Sequence, residues 1–381
     1  MKTIQNTIPI SLYIHTPWCI KKCPYCDFNS HALKGNLPET TYIEALISDF
    51  HEQVPLLQGR NIQSIFIGGG TPSLLTPESY DNLFHALRKM ATISDDAEIT
   101  MEANPGTVEQ QRFLGYRQLG INRISIGIQS FQDNQLKKLG RIHNAAEALK
   151  AIDTAKAAGF SNFNIDLMFG LPQQSVEDGL YDLHTAIACH PSHLSWYQLT
   201  LEPNTYFDKF PPTLPDDDAI WSLQTEGQKL LTEHAYQQYE VSAYAQENRQ
   251  CHHNLNYWEF GDYLGIGAGA HGKITDFHKQ KIMRRWNVKN PRDYLNAEKE
   301  FMANQTIVCA EELPLEFMMN ALRLRKSTSF DLFTHRTGLS ADILQPAIKS
   351  ASEENLLEVH NNAIQLTENG HRYLNNLLNL F

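Results

Sequence analysis

Six short β-rich runs, alternating with five stretches of helical periodicity, occupy the first two hundred residues and leave few folds open. The runs cover 11–15, 62–67, 98–102, 123–128, 163–168 and 193–199, with amphipathic segments between them at 39–57, 77–91, 107–119, 145–158 and 175–189. Helix starts carry cap signals: Thr76 precedes Pro77, and Asn144 stands three residues ahead of Glu147. Strands separated by helices pair in parallel, and repeated right-handed crossovers close into a complete or partial barrel. An open doubly wound sheet is the competing architecture. Three divisions follow: a barrel over 1–205, an extension over 206–295 and a small C-terminal domain over 296–381. Pro211, Pro212 and Pro215 mark the first boundary. Beyond it the pattern predicts a helix over 216–235 and one strand over 239–245. In the last part it predicts helices near 331–337 and 341–354, then a hairpin of 356–360 and 363–366 turned by Asn361-Asn362, which together resemble a winged helix.

In barrels of this kind reacting groups sit at the C-terminal ends of strands. After the first run comes Cys19-Ile-Lys-Lys-Cys23-Pro-Tyr-Cys26, a C-x3-C-x2-C spacing with no fourth cysteine nearby. Three thiolates on a tight loop can hold three irons of a [4Fe–4S] cube and leave the fourth iron open. A zinc site completed by His15 or His31 is the alternative, although zinc motifs usually come as two C-x2-C pairs. Disulfides fit poorly, because Cys189, Cys251 and Cys309 are scattered singly. After the second run, Gly68-Gly69-Gly70-Thr71-Pro72 would let backbone N–H groups approach a ligand. Glu102, Gln129 and Asp166 recur at the same level of later strands.

The chain has 381 residues, 42% hydrophobic and 20% charged, with a net charge of −11. The acidic balance excludes nucleic acid as the main partner, since phosphate binding needs a basic face. No apolar run is long enough to span a membrane, and Met1–Asn6 lack the apolar stretch of an export signal, so the cytoplasm is expected. One segment is locally basic: 273–292 holds Lys273, Lys279, Lys281, Arg284, Arg285, Lys289 and Arg292 against Asp276 alone. It reads either as a solvated stretch or as an anion-contacting face. The winged region is acidic, with six Lys/Arg against nine Asp/Glu over 301–381, which favours a scaffold or lid over DNA binding.

Tyr13-Ile14-His15 leading into the cysteine triplet, the Gly68–Pro72 run, Glu102-Ala103-Asn104-Pro105, Ile126–Phe131, Leu139-Gly140-Arg141 and Asn164–Pro172 resemble the radical S-adenosylmethionine (SAM) superfamily. More narrowly, the chain is similar to the branch that contains the anaerobic coproporphyrinogen III dehydrogenases and the HemW-type heme chaperones. The resemblance covers nearly the whole chain and implies a partial (β/α)6 barrel. It implies Cys19, Cys23 and Cys26 as ligands of a [4Fe–4S] cluster whose open iron is chelated by SAM. Tyr13, Tyr25, Gly70, Thr71, Glu102, Gln129, Arg141, Asp166 and Thr200 fall where such proteins contact SAM. Arg141 suits a carboxylate, and Glu102 or Asp166 suits ribose hydroxyls.

Two departures separate the chain from the decarboxylating dehydrogenases. Phe28 stands where those enzymes carry a further cysteine, and the first strand begins too early for their long N-terminal arm. Both features resemble the chaperones, in which the His253-Asn254-x-x-Tyr257-Trp258 stretch would be heme-associated. The implied function is a protein that binds heme and passes it to an acceptor, with cluster and SAM in support. The alternative is a radical enzyme decarboxylating coproporphyrinogen III, and a third is a zinc-stabilised binding module. Heme and SAM are taken to occupy separate sites, the 273–292 segment could face the heme propionates, and a homodimer is left open.

Overall fold

The computed structural model describes residues 7–381 apart from Ala297, so the reading of Met1–Asn6 lies outside the described residues. Strands β1 (Ile10–Thr16), β2 (Ile62–Gly69), β3 (Ile93–Ala103), β4 (Arg123–Gln129), β5 (Phe163–Phe169) and β6 (His193–Gln198) pair in parallel, each with the next. Between them run α1 (Glu39–Gln53), α2 (Pro77–Met90), α3 (Thr107–Gln118), α4 (Ala145–Ala157) and α5 (Val176–Ala188). Ile10, Leu12 and Ile14 are fully buried in one core with Leu46 and Phe50 of α1. The intervening Ser11, Tyr13 and His15 therefore face the barrel interior, as the two-residue period of a strand requires.

The cap signals form as expected. Asn144 Oδ1 accepts from Glu147 N at 2.9 Å, Glu147 Oε2 accepts from Asn144 N at 3.0 Å, and Thr76 Oγ1 accepts from Ser79 N at 3.3 Å. The helix expected over 39–57 ends early. Pro55 cannot donate to the ladder, and Val54–Leu57 tightens into a 3-10 turn.

The barrel is partial and the sheet does not stop at six strands. After α6 (Asp217–Glu233), the single strand expected over 239–245 is instead a hairpin, β7 (Gln237–Glu240) and β8 (Ala243–Ala245), with β8 antiparallel to β6. The sheet then resumes at its other edge. Helix α7 (His252–Trp258) leads into β9 (Asp262–Ile266), which pairs in parallel with β1, followed by antiparallel β10 (His271–Asp276), β11 (Lys281–Asn287) and β12 (Met302–Ile307). The order is β12-β11-β10-β9-β1-β2-β3-β4-β5-β6-β8-β7.

The C-terminal part holds α8 (Leu313–Ala321), β13 (Thr328–Ser329), α9 (Phe330–Thr337), α10 (Gln345–Glu353), β14 (Leu357–His360) and β15 (Ala363–Leu366). The helix expected over 341–354 begins as a 3-10 turn, Ala341–Leu344. Asn361 and Asn362 have φ of 48° and 62°, the positive values a two-residue hairpin turn demands and asparagine tolerates. Phe317, Phe333, Ile348 and Ile364 share a core with Phe260 and Ile282, which joins this part to the extended sheet.

The extension is anchored by a buried carboxylate at the start of β9. Asp262 accepts from Lys273 Nζ at 2.8 Å, Arg60 Nη1 at 2.7 Å and Thr275 N at 2.9 Å. Burial would raise its pKa, but Lys273 and Arg60 together hold it below the ordinary carboxylate value. Asp262→Ala leaves two buried cations without a counter-charge and is expected to lower stability by about 3–5 kcal/mol. Urea denaturation measures this; an unchanged midpoint would contradict it.

Candidate functional site

The loop after β1 carries all three cysteines of the triplet to the barrel mouth as free thiols. Cys26 N donates to Cys23 O at 3.2 Å, which tightens the turn, and the Cys26 thiol lies 3.6 Å from Ser30 Oγ. Arg141 Nη1 points at Cys23 Sγ across 3.6 Å. Burial raises the pKa of Cys19. All three cysteines line one cavity of about 860 Å³ that runs into the barrel.

Tyr25, Gly70, Thr71, Glu102, Gln129, Arg141, Asp166 and Thr200 line the same cavity. Tyr13 is set back from its wall. Its hydroxyl meets His15 Nδ1 at 2.9 Å, and its ring sits near Glu102, against which a Cβ at Gly68 would also press. Thr200 lies exposed at the rim, its hydroxyl donating to Glu202 Oε1 at 2.7 Å.

The glycine run works differently from the sequence expectation. Gly69 N donates to Glu102 Oε2 at 3.1 Å and Gly70 N donates to Thr16 O at 2.6 Å, so both N–H groups are already used. A Cβ at Gly70 would meet Trp18 O at 2.5 Å, so glycine is required for the close approach of the two loops.

Asn104, which the sequence shows only within a motif, is the hinge of the wall. It donates to Thr71 Oγ1 at 2.9 Å and accepts from Arg141 Nη2 at 2.7 Å. Arg141 Nη2 also reaches Gly127 O at 2.7 Å, while Arg141 Nε is buried without a hydrogen-bond partner. Gln129 holds a positive φ of 72° and accepts from Tyr197 OH at 2.8 Å. A non-glycine residue in that region is strained and marks a position held by its surroundings. Asp166 accepts from Ser125 Oγ at 3.0 Å and from Asn164 Nδ2 at 2.7 Å.

The motif over 253–258 lies on α7, and its i, i+4 spacing divides it between two faces. Asn254 and Trp258 line the main cavity, where the Arg323 guanidinium sits 4.5 Å from the Trp258 ring. Trp258 Nε1 is buried without a partner. His253 and Tyr257 turn inward. His253 is fully buried, with Nδ1 2.9 Å from Ser64 Oγ and Nε2 2.9 Å from Tyr257 OH. Burial and the Arg123 charge lower its pKa to about 3. Both ring nitrogens are spent, so His253 offers iron no ligand atom in this arrangement. The Glu98 carboxylate caps α7 by accepting from His252 N and His253 N, each at 3.1 Å. Thus Asn254 and Trp258 share a cavity with the cysteines, whereas His253 and Tyr257 are turned into the protein interior. Arg323 and Glu240 complete that end of the cavity, and no local pattern marks either.

The basic segment is also divided. Lys273 is buried against Asp262, Lys279 pairs with Asp276 at 3.4 Å and Arg284 pairs with Glu316. It does not form one anion-contacting face.

A family model described as the radical SAM superfamily matches residues 13–184, and one described as the HemN C-terminal domain matches 308–373. In structure the chain resembles coproporphyrinogen III oxidase (HemN) from Escherichia coli, with a TM-score of 0.84 and 23% identity over 99% of this chain and 91% of that one. The parallel half-barrel with its cysteine loop is a radical SAM fold. In sequence the chain is 51% identical to heme chaperone HemW of Escherichia coli K12, over 98% of each chain. It is likewise 51% identical to that of Haemophilus influenzae over 98% of each, and 33% identical to that of Bacillus subtilis over 94% of this chain and 96% of the relative. The chain belongs to the HemW family of the radical SAM superfamily.

Glu102 supplies a titration test. Burial, with the charge of Asp166, pushes its carboxyl up to about 8, against the pull of Gly69 N–H. In the unfolded chain the group titrates near roughly 4.3, so between these values the folded state holds a proton that the unfolded state releases. Stability contributed by this group is therefore lost as pH rises through that window. Glu102→Gln keeps an acceptor for Gly69 and removes the titration. Thermal midpoints of the variant are expected to gain on wild type between about pH 5 and pH 8; parallel curves would contradict the assignment.

Proposed function

We propose that this chain is a heme chaperone that binds heme and passes it to an acceptor protein in the cytoplasm, and that it carries a [4Fe–4S] cluster and SAM. The observation that carries the reading is the 51% identity, over 98% of the chain, to relatives named as heme chaperones. Phe28 supports it: this residue is exposed at the cavity and leaves the loop with three thiols. The likeness to HemN carries the fold and no substrate. Among the described residues no helix is long and apolar enough to cross a membrane, and three free thiols suit a reducing compartment.

The residues present fit the cluster. Three free thiols stand on one loop and line one cavity, with no fourth cysteine nearby to close the site, as a cube with one open iron requires. Cys19, Cys23 and Cys26 would hold it, with the Arg141 Nη1 donor beside Cys23 Sγ. Such a cluster supplies an open iron and a single electron.

The chain's own residues would hold SAM. The unpartnered Arg141 Nε would suit the negative carboxylate, the glycine backbone would lie by the amine, and Glu102 and Asp166 would accept from hydroxyls. Thr71 and Gln129, both held in place by neighbours, shape the walls between them.

Anaerobic reconstitution followed by heme titration tests the function. A stoichiometric Soret shift is expected, and Cys23→Ala is expected to lose the cluster absorbance while retaining heme binding. Absence of any Soret change, with anaerobic formation of protoporphyrinogen IX from coproporphyrinogen III, would overturn the chaperone reading in favour of decarboxylation.

A further inference from the structure

Outside the main cavity the inner face of the extended sheet carries a second hollow, of about 450 Å³, lined by Tyr263, His271, Gly272, Arg284, Trp286 and Lys289. That volume lies within the roughly 300–1,000 Å³ of sites that take up small ligands. Cross-strand register builds it. His271 stands opposite Trp286 and Lys273 opposite Arg284 in the β10–β11 pair, and Tyr263 of β9 stands opposite Lys273. Directly opposed residues share a face, so an imidazole, an indole and a guanidinium come together although fifteen residues of chain separate the first two.

We propose that heme docks in this hollow with the His271 imidazole as an axial ligand and with Lys289 and Arg284 facing its propionates. The inference rests on the heme-chaperone reading and assigns it a place. Several independent features meet there. His271 is exposed, and among the described residues neither of its ring nitrogens has a hydrogen-bond partner, in contrast to His253, His193 and His15, whose two nitrogens are all engaged. The Trp286 ring stacks on it at 6.1 Å between centroids and 21° between planes, which fixes the imidazole plane and leaves its edge free to meet a metal. Partial burial and the charges of Lys289 and Arg284 lower the pKa of His271, which favours the neutral ring whose lone pair can meet a metal.

The charges suit a dianionic macrocycle. Among the described residues Lys289 pairs with no carboxylate, whereas Arg284 is shared with Glu316 and with Tyr263 OH at 3.1 Å. Lys289 is thus the principal propionate partner and Arg284 the secondary one. The hollow is open, so one axial position of the iron and one macrocycle face remain outward. Transfer then needs only ligand exchange: the iron–His271 bond breaks as the acceptor's ligand bonds the iron, with no change in oxidation state. The dock also touches the cysteine loop. Asn29, three residues after Cys26, donates from Nδ2 to Ala268 O and to Lys289 O, both at 2.9 Å.

The test is anaerobic heme titration of the reconstituted full chain, read by affinity and by the axial-ligand signature in magnetic circular dichroism. His271→Ala is expected to lose the nitrogen-ligand signature and to weaken binding on the order of tenfold or more, at least what losing an outer-shell partner of a metal ligand costs. Added imidazole should restore the signature. Lys289→Glu should weaken binding while keeping the signature, and His278→Ala, at the far end of the β10–β11 hairpin, should match wild type. Unchanged thermal midpoints show that the variants fold. A His271→Ala protein with wild-type signature and affinity would overturn the dock and leave the chaperone reading standing. Wild-type protein that takes up no heme would overturn both.

Discussion

Strand β1 is paired in parallel along both edges, with β2 on one side and β9 on the other, so that Tyr13 faces Phe66 and Gly265 at once. A strand held on both sides cannot slip without turning its inward Ser11, Tyr13 and His15 onto the apolar layer. The cysteine loop leaves the end of this strand. Its position is therefore set by two parts of the chain that are some two hundred residues apart in sequence. On the β2 side the loop meets the glycine run, where Gly70 N donates to Thr16 O. On the β9 side it meets the Gly267–Ala270 turn through Asn29, and Tyr42 OH, which donates to His15 O, ties α1 to the same point. Close approach leaves no room for a side chain at Gly269, where a Cβ would come within 2.2 Å of Asn29 Nδ2.

Buried carboxylates divide the interior labour. Asp262 is ionised by two cations and anchors the extension. Glu98 accepts three donors at the start of α7 and orients the helix whose Asn254 and Trp258 face the cavity. Glu102 and Asp166 differ from these. Each lines the cavity, each is raised by burial, and among the described residues neither forms an ion pair.

Much of this was legible in the chain. The six strands and the helices between them stand out because a parallel sheet needs continuous apolar runs and separate crossovers, and Thr76 and Asn144 cap where their side chains say they should. The cysteine loop and eight of the residues expected around SAM converge on one cavity. What escaped has physical reasons. The β7–β8 turn at Val241-Ser242 carries none of the Asn or Gly signals of a tight hairpin. Helix α7 is capped by Glu98, more than a hundred residues away, so its start has no local mark. The split roles within its motif depend on which face meets β2, and Arg323 reaches the cavity from the C-terminal part. The basic run looked uniform in sequence, yet alternation along β10 and β11 and the pairing of Lys273 and Lys279 with Asp262 and Asp276 leave Arg284 and Lys289 at a ligand-sized hollow.

A cube held at three corners by Cys19, Cys23 and Cys26, as proposed above, would leave its fourth iron for a ligand. Mössbauer spectroscopy of iron-57-reconstituted protein, with and without SAM, reads this directly. One iron subsite distinct from the other three is expected, whose isomer shift moves when SAM is added while the rest stay in place. Four equivalent irons indifferent to SAM, or no iron–sulfide signal at all, would contradict it.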